Sequence, residues 1–448
     1  MNTALTAIVF LALYSNAVAS LAIPLLSLAN SRSKAIWLSS LAPQVATLTA
    51  LAVVLATGAN PASGFLSSEK ASWILAASAT LGCLLSSLAI GVSAYDWLTH
   101  PGVYSLVPLA LLGLVHLSLS GDLLVALAAW LLVAISSYAL VALAGDRSSV
   151  RAAVIYGVVG MISTLLLILG VALGSAALEA GRELLSLSAS TMILASLGLK
   201  LGLFPFHWWI PAVYGGANGR LVAVLDGSYK PAFAAALLYL LSEVAGPVAQ
   251  QVSLALLLLG LASMTYGNVA AMVTGRLQEL LAYSSIAHAG FIGIAISIAL
   301  APETTRSYEL AIAGLLLVAL TVASAKPPLF ALSSLVRDVG DLEKISWDRA
   351  SSTSIAVLSL SLLGVPPLLG FWGKLVIAIA VAEVSPLVAA IVLVNVTASS
   401  VYYLRVVVSA LRRSGERLEL DRAVRATLIA STAINSLGLI VAATIYSL

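Results

Sequence analysis

Long apolar runs recur from the first residues of the chain to the last, and they constrain the fold more than any other feature. Each run is long enough to cross the hydrocarbon core of a bilayer as a helix, which takes roughly 20 residues for about 30 Å. Hydrophobic residues make up 61% of the chain and charged residues only 9%, which excludes a soluble enzyme or a nucleic-acid-binding protein. The sequence therefore predicts an all-α, polytopic membrane protein with about fourteen transmembrane helices. The predicted spans are residues 3–27, 35–57, 71–94, 103–119, 122–144, 152–174, 185–204, 221–242, 248–267, 279–300, 308–334, 351–373, 384–410 and 425–447.

Basic residues predict how these spans are oriented. Loops after odd-numbered spans contain fourteen of the 22 lysines and arginines, whereas loops after even-numbered spans contain three. Because positive charge in short loops favours the cytoplasmic side, we expect both termini on the outer side of a prokaryotic cell membrane. The start of the chain has no basic region, so we expect the first span to be retained rather than removed as a signal peptide.

Two predicted spans contain a helix break beside a lysine. In the seventh span Lys200 precedes Pro205, and in the twelfth Pro366 and Pro367 precede Lys374. A proline inside a helix removes a backbone hydrogen bond, and at membrane depth such a break survives only where protein or water satisfies the freed groups. Two ordinary proline kinks are the alternative interpretation.

The two broken spans hold matching positions, which predicts an internal repeat. Each is the fourth in a run of five spans, and an offset of five spans inverts the second run relative to the first. Inverted repeats with broken helices are typical of transporters whose sites lie at the bilayer midplane. We therefore predict a three-helix segment (1–102), a first inverted repeat of spans 4–8 (103–247), a second of spans 9–13 (248–414) and a C-terminal helix (415–448).

Four of the seven lysines, Lys200, Lys230, Lys326 and Lys374, fall inside or beside predicted spans. A cation at the bilayer centre costs roughly 2.5–3.5 kcal/mol, so such residues need a polar path, partners or loss of their protons. Lysine, unlike arginine, can lose its proton when it is desolvated. The pattern predicts a chain that holds or passes protons within the membrane. Two structural alternatives stay open: Asp226 could simply pair with Lys230 one turn later, and Lys326 could extend to the membrane surface.

Residues that bind cofactors are scarce. Cys83 is the single cysteine and there are four histidines. One cysteine cannot form an internal disulfide or hold an iron–sulfur cluster. We expect no metal or cofactor bound by this chain alone.

Three motifs resemble a known family. They are the run LLAYSSIAHAG at 280–290, the segment from Lys200 to Pro211 with its Pro-Phe-His-x-Trp-x-Pro pattern, and the segment from Gly364 to Lys374. With the fourteen spans, they resemble the antiporter-like proton-pumping membrane subunits of respiratory complex I, their relatives in membrane-bound hydrogenases, and the Mrp cation/proton antiporters. The N-type subunit of complex I is the nearest resemblance.

The resemblance implies a role for each buried lysine. Lys200 matches the broken-helix lysine of the first half-channel, Lys230 the connecting lysine on the eighth span, and Lys374 the terminal lysine on the twelfth. Lys326 resembles an eleventh-span lysine of longer relatives, and His288 matches a histidine on the central tenth span. In such proteins these groups form a hydrated polar axis along the membrane midplane.

The chain departs from the family pattern in its fifth predicted span. The family has a glutamate directly after a tryptophan there, whereas here Leu131 follows Trp130. The carboxylate that would modulate Lys200 is therefore missing at that position. Either another acid substitutes, with Asp226 the best candidate by sequence, or the first half-channel is altered or silent.

The function that we expect is proton translocation within a larger redox-driven complex. That complex would be an NADH-, ferredoxin- or deazaflavin-dependent quinone oxidoreductase or a membrane-bound hydrogenase, with a redox peripheral arm and other antiporter-like membrane subunits as partners. Iron–sulfur clusters would belong to those partners, and this chain would have no redox centre of its own. Two alternatives are a subunit of an Mrp-type Na⁺/H⁺ antiporter and a non-pumping structural subunit with a degenerate channel.

Overall fold

The computed structural model describes residues 2–29, 33–58, 66–67, 69–91, 101–143, 147–345, 347–412 and 420–447. Within these ranges the chain forms nineteen α-helices, two short 3₁₀ helices (Gly246–Val248 and Val339–Lys344) and no β-strand. The α-helices are α1 Asn2–Ala29, α2 Ser33–Thr57, α3 Lys70–Ile90, α4 Pro101–Ser118, α5 Leu123–Ala142, α6 Arg147–Ala180, α7 Glu183–Leu201, α8 Trp209–Gly216, α9 Gly219–Gly227, α10 Tyr229–Val244, α11 Ala249–Val273, α12 Leu277–Leu300, α13 Thr305–Ser333, α14 Arg349–Leu363, α15 Leu369–Val384, α16 Pro386–Ala398, α17 Ser400–Leu411, α18 Arg422–Ser436 and α19 Gly438–Ser447.

The prediction of an all-α, multi-pass membrane protein is confirmed. Twelve stretches of the described chain are long and apolar enough to cross a membrane, and the bent pair α18 and α19 makes a thirteenth. The remaining predicted span is the twelfth, which the structure divides into α14 and α15 of 15 and 16 residues. The described chain therefore has twelve candidate spans, or thirteen with the bent pair, and the twelfth predicted span is not among them.

The last predicted span is not the single straight helix that the sequence suggested. Its two halves, α18 and α19, meet at an angle of 54°. Gly438, the first residue of α19, lies against the start of α15, because a Cβ atom there would come within 2.3 Å of the backbone nitrogen of Leu369. At this bend the backbone of the last span packs directly against the backbone of the second broken span.

Neighbouring spans pack on one another in both predicted runs of five. In the first run α4 packs on α5 and α6 on α7, and in the second run α11 packs on α12 and α13 on α15. The internal repeat itself stays a prediction. The exact domain boundaries stay a prediction, and the boundary at 414/415 lies outside the described residues, as do residues 92–94 and 144 of the predicted spans and the loop residues Arg32, Arg413 and Arg417.

Both breaks begin with a glycine in the left-handed backbone region. Gly202 (φ +78°) ends α7 and Gly364 (φ +95°) ends α14, and each donates its N–H to a carbonyl of the last helical turn. Glycine adopts this conformation without the steric cost that a Cβ atom brings. A proline segment follows each glycine, with cis peptide bonds before Pro205 and Pro367. The sequence placed both breaks correctly.

We predict that Gly202→Ala destabilises the protein more than Gly181→Ala. Both glycines have positive φ, but a Cβ atom at Gly202 would lie 1.9 Å from Cδ1 of the buried Ile210, whereas nothing lies within 4 Å at Gly181. The left-handed conformation costs about 1–2 kcal/mol at either site, and overpacking adds about 1–3 kcal/mol at Gly202. Thermal unfolding of the detergent-purified protein measures the difference. Equal losses at the two sites would show that the first break is not tightly packed.

Candidate functional site

The four lysines that the sequence singled out are all buried. Lys200, Lys230, Lys326 and Lys374 are 3%, 1%, 0% and 5% exposed. They lie on α7, α10, α13 and α15, so each comes from a different helix. The alternative that Lys326 extends to the membrane surface is wrong, because its side chain is completely enclosed. Each ammonium group therefore has to find its partners inside the protein.

Lys230 is paired with a carboxylate. Its Nζ lies 3.2 Å from Oδ1 of Asp226, four residues earlier and also fully buried. Lys230 Nζ also donates to the carbonyl and hydroxyl oxygens of Ser285 on α12, and the Ser285 hydroxyl in turn donates to Asp226 Oδ1. The second carboxylate oxygen, Oδ2, has no hydrogen-bond partner. Ammonium, hydroxyl and carboxylate thus form one closed cluster with a free acceptor.

Helix α9 ends at Gly227 and α10 begins at Tyr229, and Ser228 between them keeps right-handed helical backbone angles. A Cβ atom on Gly227 would lie 2.5 Å from Cγ of Pro327, the residue after Lys326 on α13. The missing side chain lets α13 approach this point closely. As a result, the eleventh-span lysine comes beside the Asp226–Lys230 pair.

Lys326 is held by neutral oxygens. Its Nζ donates to the Leu281 carbonyl at 2.9 Å and to the Ser284 hydroxyl at 2.8 Å. The Ser284 hydroxyl is also hydrogen-bonded to the hydroxyl of Tyr403 on α17. Ser284 and Ser285 are adjacent on α12, so two neighbouring serines contact two different buried lysines.

His288 lies one turn beyond Ser284 on α12. Its Nδ1 lies 2.8 Å from the Ser284 carbonyl oxygen, while its Nε2 is buried without a partner. One turn further, the ring of Phe291 lies 5.3 Å from Nζ of Lys374. One face of α12 therefore runs from the first lysine cluster to the terminal lysine.

Lys374 contacts the broken end of α14. Its Nζ donates to the carbonyls of Leu362 (2.7 Å) and Leu363 (3.0 Å), the last two residues of that helix. The carboxyl end of a helix carries partial negative charge, which favours a cation. The helix break thus creates the partner for this lysine, as the sequence suggested for an interrupted span.

Lys200 is surrounded by aromatic rings instead of acids. Its Nζ lies 4.3, 4.7 and 5.9 Å from the ring centroids of Tyr156, Tyr138 and Trp130, and it donates to the Tyr138 hydroxyl at 3.3 Å. No ion pair with Lys200 occurs in the described part of the chain, and Asp226 is paired with Lys230. The structure therefore does not support the substitution of Asp226 for the missing glutamate.

Residues 120–400 match the family model described as "NADH:quinone oxidoreductase/Mrp antiporter, TM". The chain belongs to this family. The resemblance drawn from the sequence motifs is thereby confirmed.

Curated relatives carry complex I names. The chain is 34% identical over 280 residues to NADH-quinone oxidoreductase subunit N of Cereibacter sphaeroides, which covers 60% of each chain. It is 36% identical over 265 residues to NADH-quinone oxidoreductase subunit 14 of Thermus thermophilus, which covers 57% of this chain and 58% of the relative. The chain thus spans about 60% of the length of the relatives that it matches.

Solved structures share the fold over nearly the full chain. A chain of respiratory complex I from Thermus thermophilus with bound aureothin superposes with a TM-score of 0.81 at 29% identity, covering 96% of this chain and 97% of that one. A chain of the archaeal membrane-bound sulfane sulfur reductase gives 0.79 at 21% identity, covering 97% and 76%. A chain of the Mrp complex from Dietzia gives 0.80 at 18% identity, covering 100% and 97%. The last two show the shared fold alone.

The position of the missing glutamate lies close to the Lys200 site. Leu131 is 39% exposed and follows Trp130, which is 1% exposed and whose ring centroid lies 5.9 Å from Lys200 Nζ. Leu131 also precedes Tyr138 by seven residues, about two helical turns, so these two residues lie on nearly the same side of α5. That a carboxylate is missing at position 131 stays a prediction from the sequence.

His207 and Cys83 lie outside the lysine clusters. His207, beside Pro205 in the first break, lies 4.0 Å (ring centroids) from Tyr266 and 5.3 Å from Phe204. The cysteine, Cys83, is buried and free. Among the described residues, no group of three or more histidines, cysteines and acids could hold a metal ion. The sequence missed Ser284, Ser285 and Tyr403, although both serines lie in the motif that carried the resemblance.

We predict strong energetic coupling between Asp226 and Lys230. Asp226→Asn or Lys230→Met alone leaves one buried charge unpaired, which typically costs about 3–5 kcal/mol, whereas the double variant removes both charges. Thermal unfolding of the wild type, the two single variants and the double variant in detergent gives the double-mutant cycle. The double variant should lose less stability than the sum of the single variants, and simple additivity would rule out a buried ion pair.

Proposed function

We propose that this chain is a proton-translocating, antiporter-like membrane subunit of a redox-driven complex of the complex I type. The observation that carries the proposal is the set of four buried lysines, three of which contact α12. A cation is expensive at membrane depth and is rarely retained there without a function. Membership of the family and the similarity to a chain of respiratory complex I support the same function.

The partners of the lysines suggest how protons would move. The Asp226–Lys230–Ser285 cluster and the Lys326–Ser284–Tyr403 cluster use adjacent serines, so their hydroxyl groups offer short hydrogen-bonded steps between lysines. Closely spaced ionisable groups titrate as a coupled set, so adding a proton at one lysine disfavours a proton on the next. In this mechanism a charge change at one end is passed along α12 to Lys374.

The coupling energy must come from outside this chain. Moving one charge against the membrane potential costs about 2.3 kcal/mol per 100 mV. We assign the electron transfer to partner subunits with iron–sulfur clusters and a quinone-linked peripheral arm, since the single cysteine of this chain cannot hold a cluster. Other antiporter-like subunits would be its membrane neighbours, and the complex would lie in the plasma membrane with both termini of this chain outside.

The two alternatives rest on particular observations. The family model includes Mrp antiporters, and the Dietzia Mrp chain has the same fold. The degenerate-channel alternative rests on Lys200 having no acid paired to it in the described part of the chain. Affinity purification from native membranes distinguishes the redox complex from the Mrp antiporter. A redox complex would co-purify with iron–sulfur subunits, whereas an Mrp assembly would co-purify only with small membrane subunits.

We predict that Lys326→Met and Lys374→Met abolish proton translocation by the intact complex in liposomes. Each change removes the group that would carry the proton but keeps an unbranched side chain of similar length. Lys344→Met is the matched control, because Lys344 lies on the 339–344 3₁₀ helix with its side chain 77% exposed. The measurement is acidification of the vesicle lumen per electron transferred, with and without Na⁺.

Normal translocation in both lysine variants would support the structural-subunit alternative instead. Exchange that requires Na⁺ and proceeds without electron transfer would support the Mrp alternative.

A further inference from the structure

The surroundings of Lys200 form a cage of three aromatic side chains. Nζ lies within 6 Å of the ring centroids of Trp130, Tyr138 and Tyr156, the distance at which a ring face attracts a cation. Trp130 and Tyr138 come from α5 and Tyr156 from α6, while Lys200 stands in the last turn of α7. Lys200 itself is buried, so these rings replace water around its ammonium group.

The face of α5 that meets Lys200 carries no carboxylate. Trp130 and Tyr138 are eight residues apart, a little over two helical turns, so they lie near one face of the helix. Ala134 stands midway between them and is buried, whereas Ile135 is 65% exposed. The helix therefore presents aromatic rings at the place where an acid could have stood.

The rings are held in fixed positions. Trp130 Nε1 donates to the Thr164 hydroxyl on α6 at 3.0 Å. The rings of Tyr138 and Tyr156 meet edge to face, with centroids 5.4 Å apart, and the Tyr156 ring lies 5.2 Å from the ring of Trp209. Trp130 and Tyr156 are thus supported by neighbours outside the cage, and Tyr138 is supported by Tyr156.

A glycine makes room for the hydroxyl that accepts from Lys200. A Cβ atom on Gly160 of α6 would lie 1.8 Å from the Tyr138 hydroxyl oxygen. Any side chain at this position would push the hydroxyl from its place. Gly160 of α6 therefore leaves the space in which this oxygen reaches Lys200.

We propose that the Trp130–Tyr138–Tyr156 cage, with the Tyr138 hydroxyl as hydrogen-bond acceptor, replaces a carboxylate as the partner of the charged form of Lys200. The proposal rests on the proposed function. A cage stabilises an ammonium group without adding a negative charge. Protonation of Lys200 therefore leaves a full positive charge in the first half-channel, which is active rather than silent.

The first test measures redox-driven proton translocation against pH in liposomes containing the intact complex. Lys200→Met is the reference for complete loss of proton transfer at Lys200. In Trp130→Leu and Tyr156→Leu the alkaline limb of the profile should move to lower pH by about one unit, because the ammonium form loses a stabilising ring. Tyr138→Phe keeps its ring and loses the hydroxyl, so its shift should be smaller than that of Tyr138→Leu.

Two glycines of α6 provide a matched pair without changing the chemistry of the cage. Gly160→Ala should reproduce the shift of the Tyr138 variants, because its Cβ atom displaces the hydroxyl. Gly157→Ala lies about one turn away, with nothing within 4 Å of its added Cβ atom, and should translocate as the wild type does. Yields of assembled complex show that both variants fold.

A rescue experiment separates the cage from a general packing effect. In the Trp130→Leu background, Ala134→Glu should restore translocation at high pH, because its carboxylate would stand on the face toward Lys200. Ile135→Glu in the same background should not, because Ile135 is 65% exposed and lies about 140° around α5 from Trp130. Rescue by Ile135→Glu instead of Ala134→Glu would overturn the proposed geometry.

Failure of this inference and failure of the proposed function give different results. If Lys374→Met stops translocation while Lys200→Met does not, the function holds and the cage proposal is wrong. If Lys200→Met impairs translocation but no cage variant moves the pH profile, the cage proposal is also wrong. If neither lysine variant changes translocation, both are wrong.

Discussion

The cost of burying an ammonium group within a membrane determines the organisation of this protein. Four lysines lie where hydrocarbon would otherwise surround them, and each has a different solution. Lys230 has a carboxylate, Lys326 a hydroxyl and a carbonyl, Lys374 the end of a helix, and Lys200 a set of aromatic rings. Different partners stabilise the charged form to different degrees. Such a series can hold protons at unequal free energy, which a directional pathway requires.

The interrupted helices follow from the same constraint. Backbone carbonyls without a hydrogen-bond donor are costly in lipid, but they can accept hydrogen bonds from a buried cation. Lys374 Nζ donates to two such carbonyls at the end of α14. The central α12 is unbroken by contrast, and its residues Ser284, Ser285 and Phe291 contact three of the lysines. A continuous helix between two broken ones provides a fixed frame, so that changes in charge rather than changes in backbone position could link the two halves.

The sequence predicted what depends on local composition and missed what depends on helix rotation. Apolar length identified the spans, proline and glycine identified both breaks, and the four-residue spacing identified the Asp226–Lys230 pair, because all these signals lie within one segment. The partners of Lys200 come from α5 and α6, some 40 to 70 residues earlier, and which face of α5 turns inward is decided by packing. The aromatic partners of Lys200 could therefore not be predicted from the sequence.

The central claim is that these buried lysines change protonation during turnover. A redox-triggered infrared difference spectrum of the intact complex, recorded with isotopically labelled lysine, tests it directly. Ammonium bands that shift with the label should appear on reduction and should disappear when Lys200, Lys230, Lys326 and Lys374 are all replaced by methionine in this subunit. A difference spectrum in which those bands are absent from the wild type, or survive the four replacements unchanged, would contradict the account.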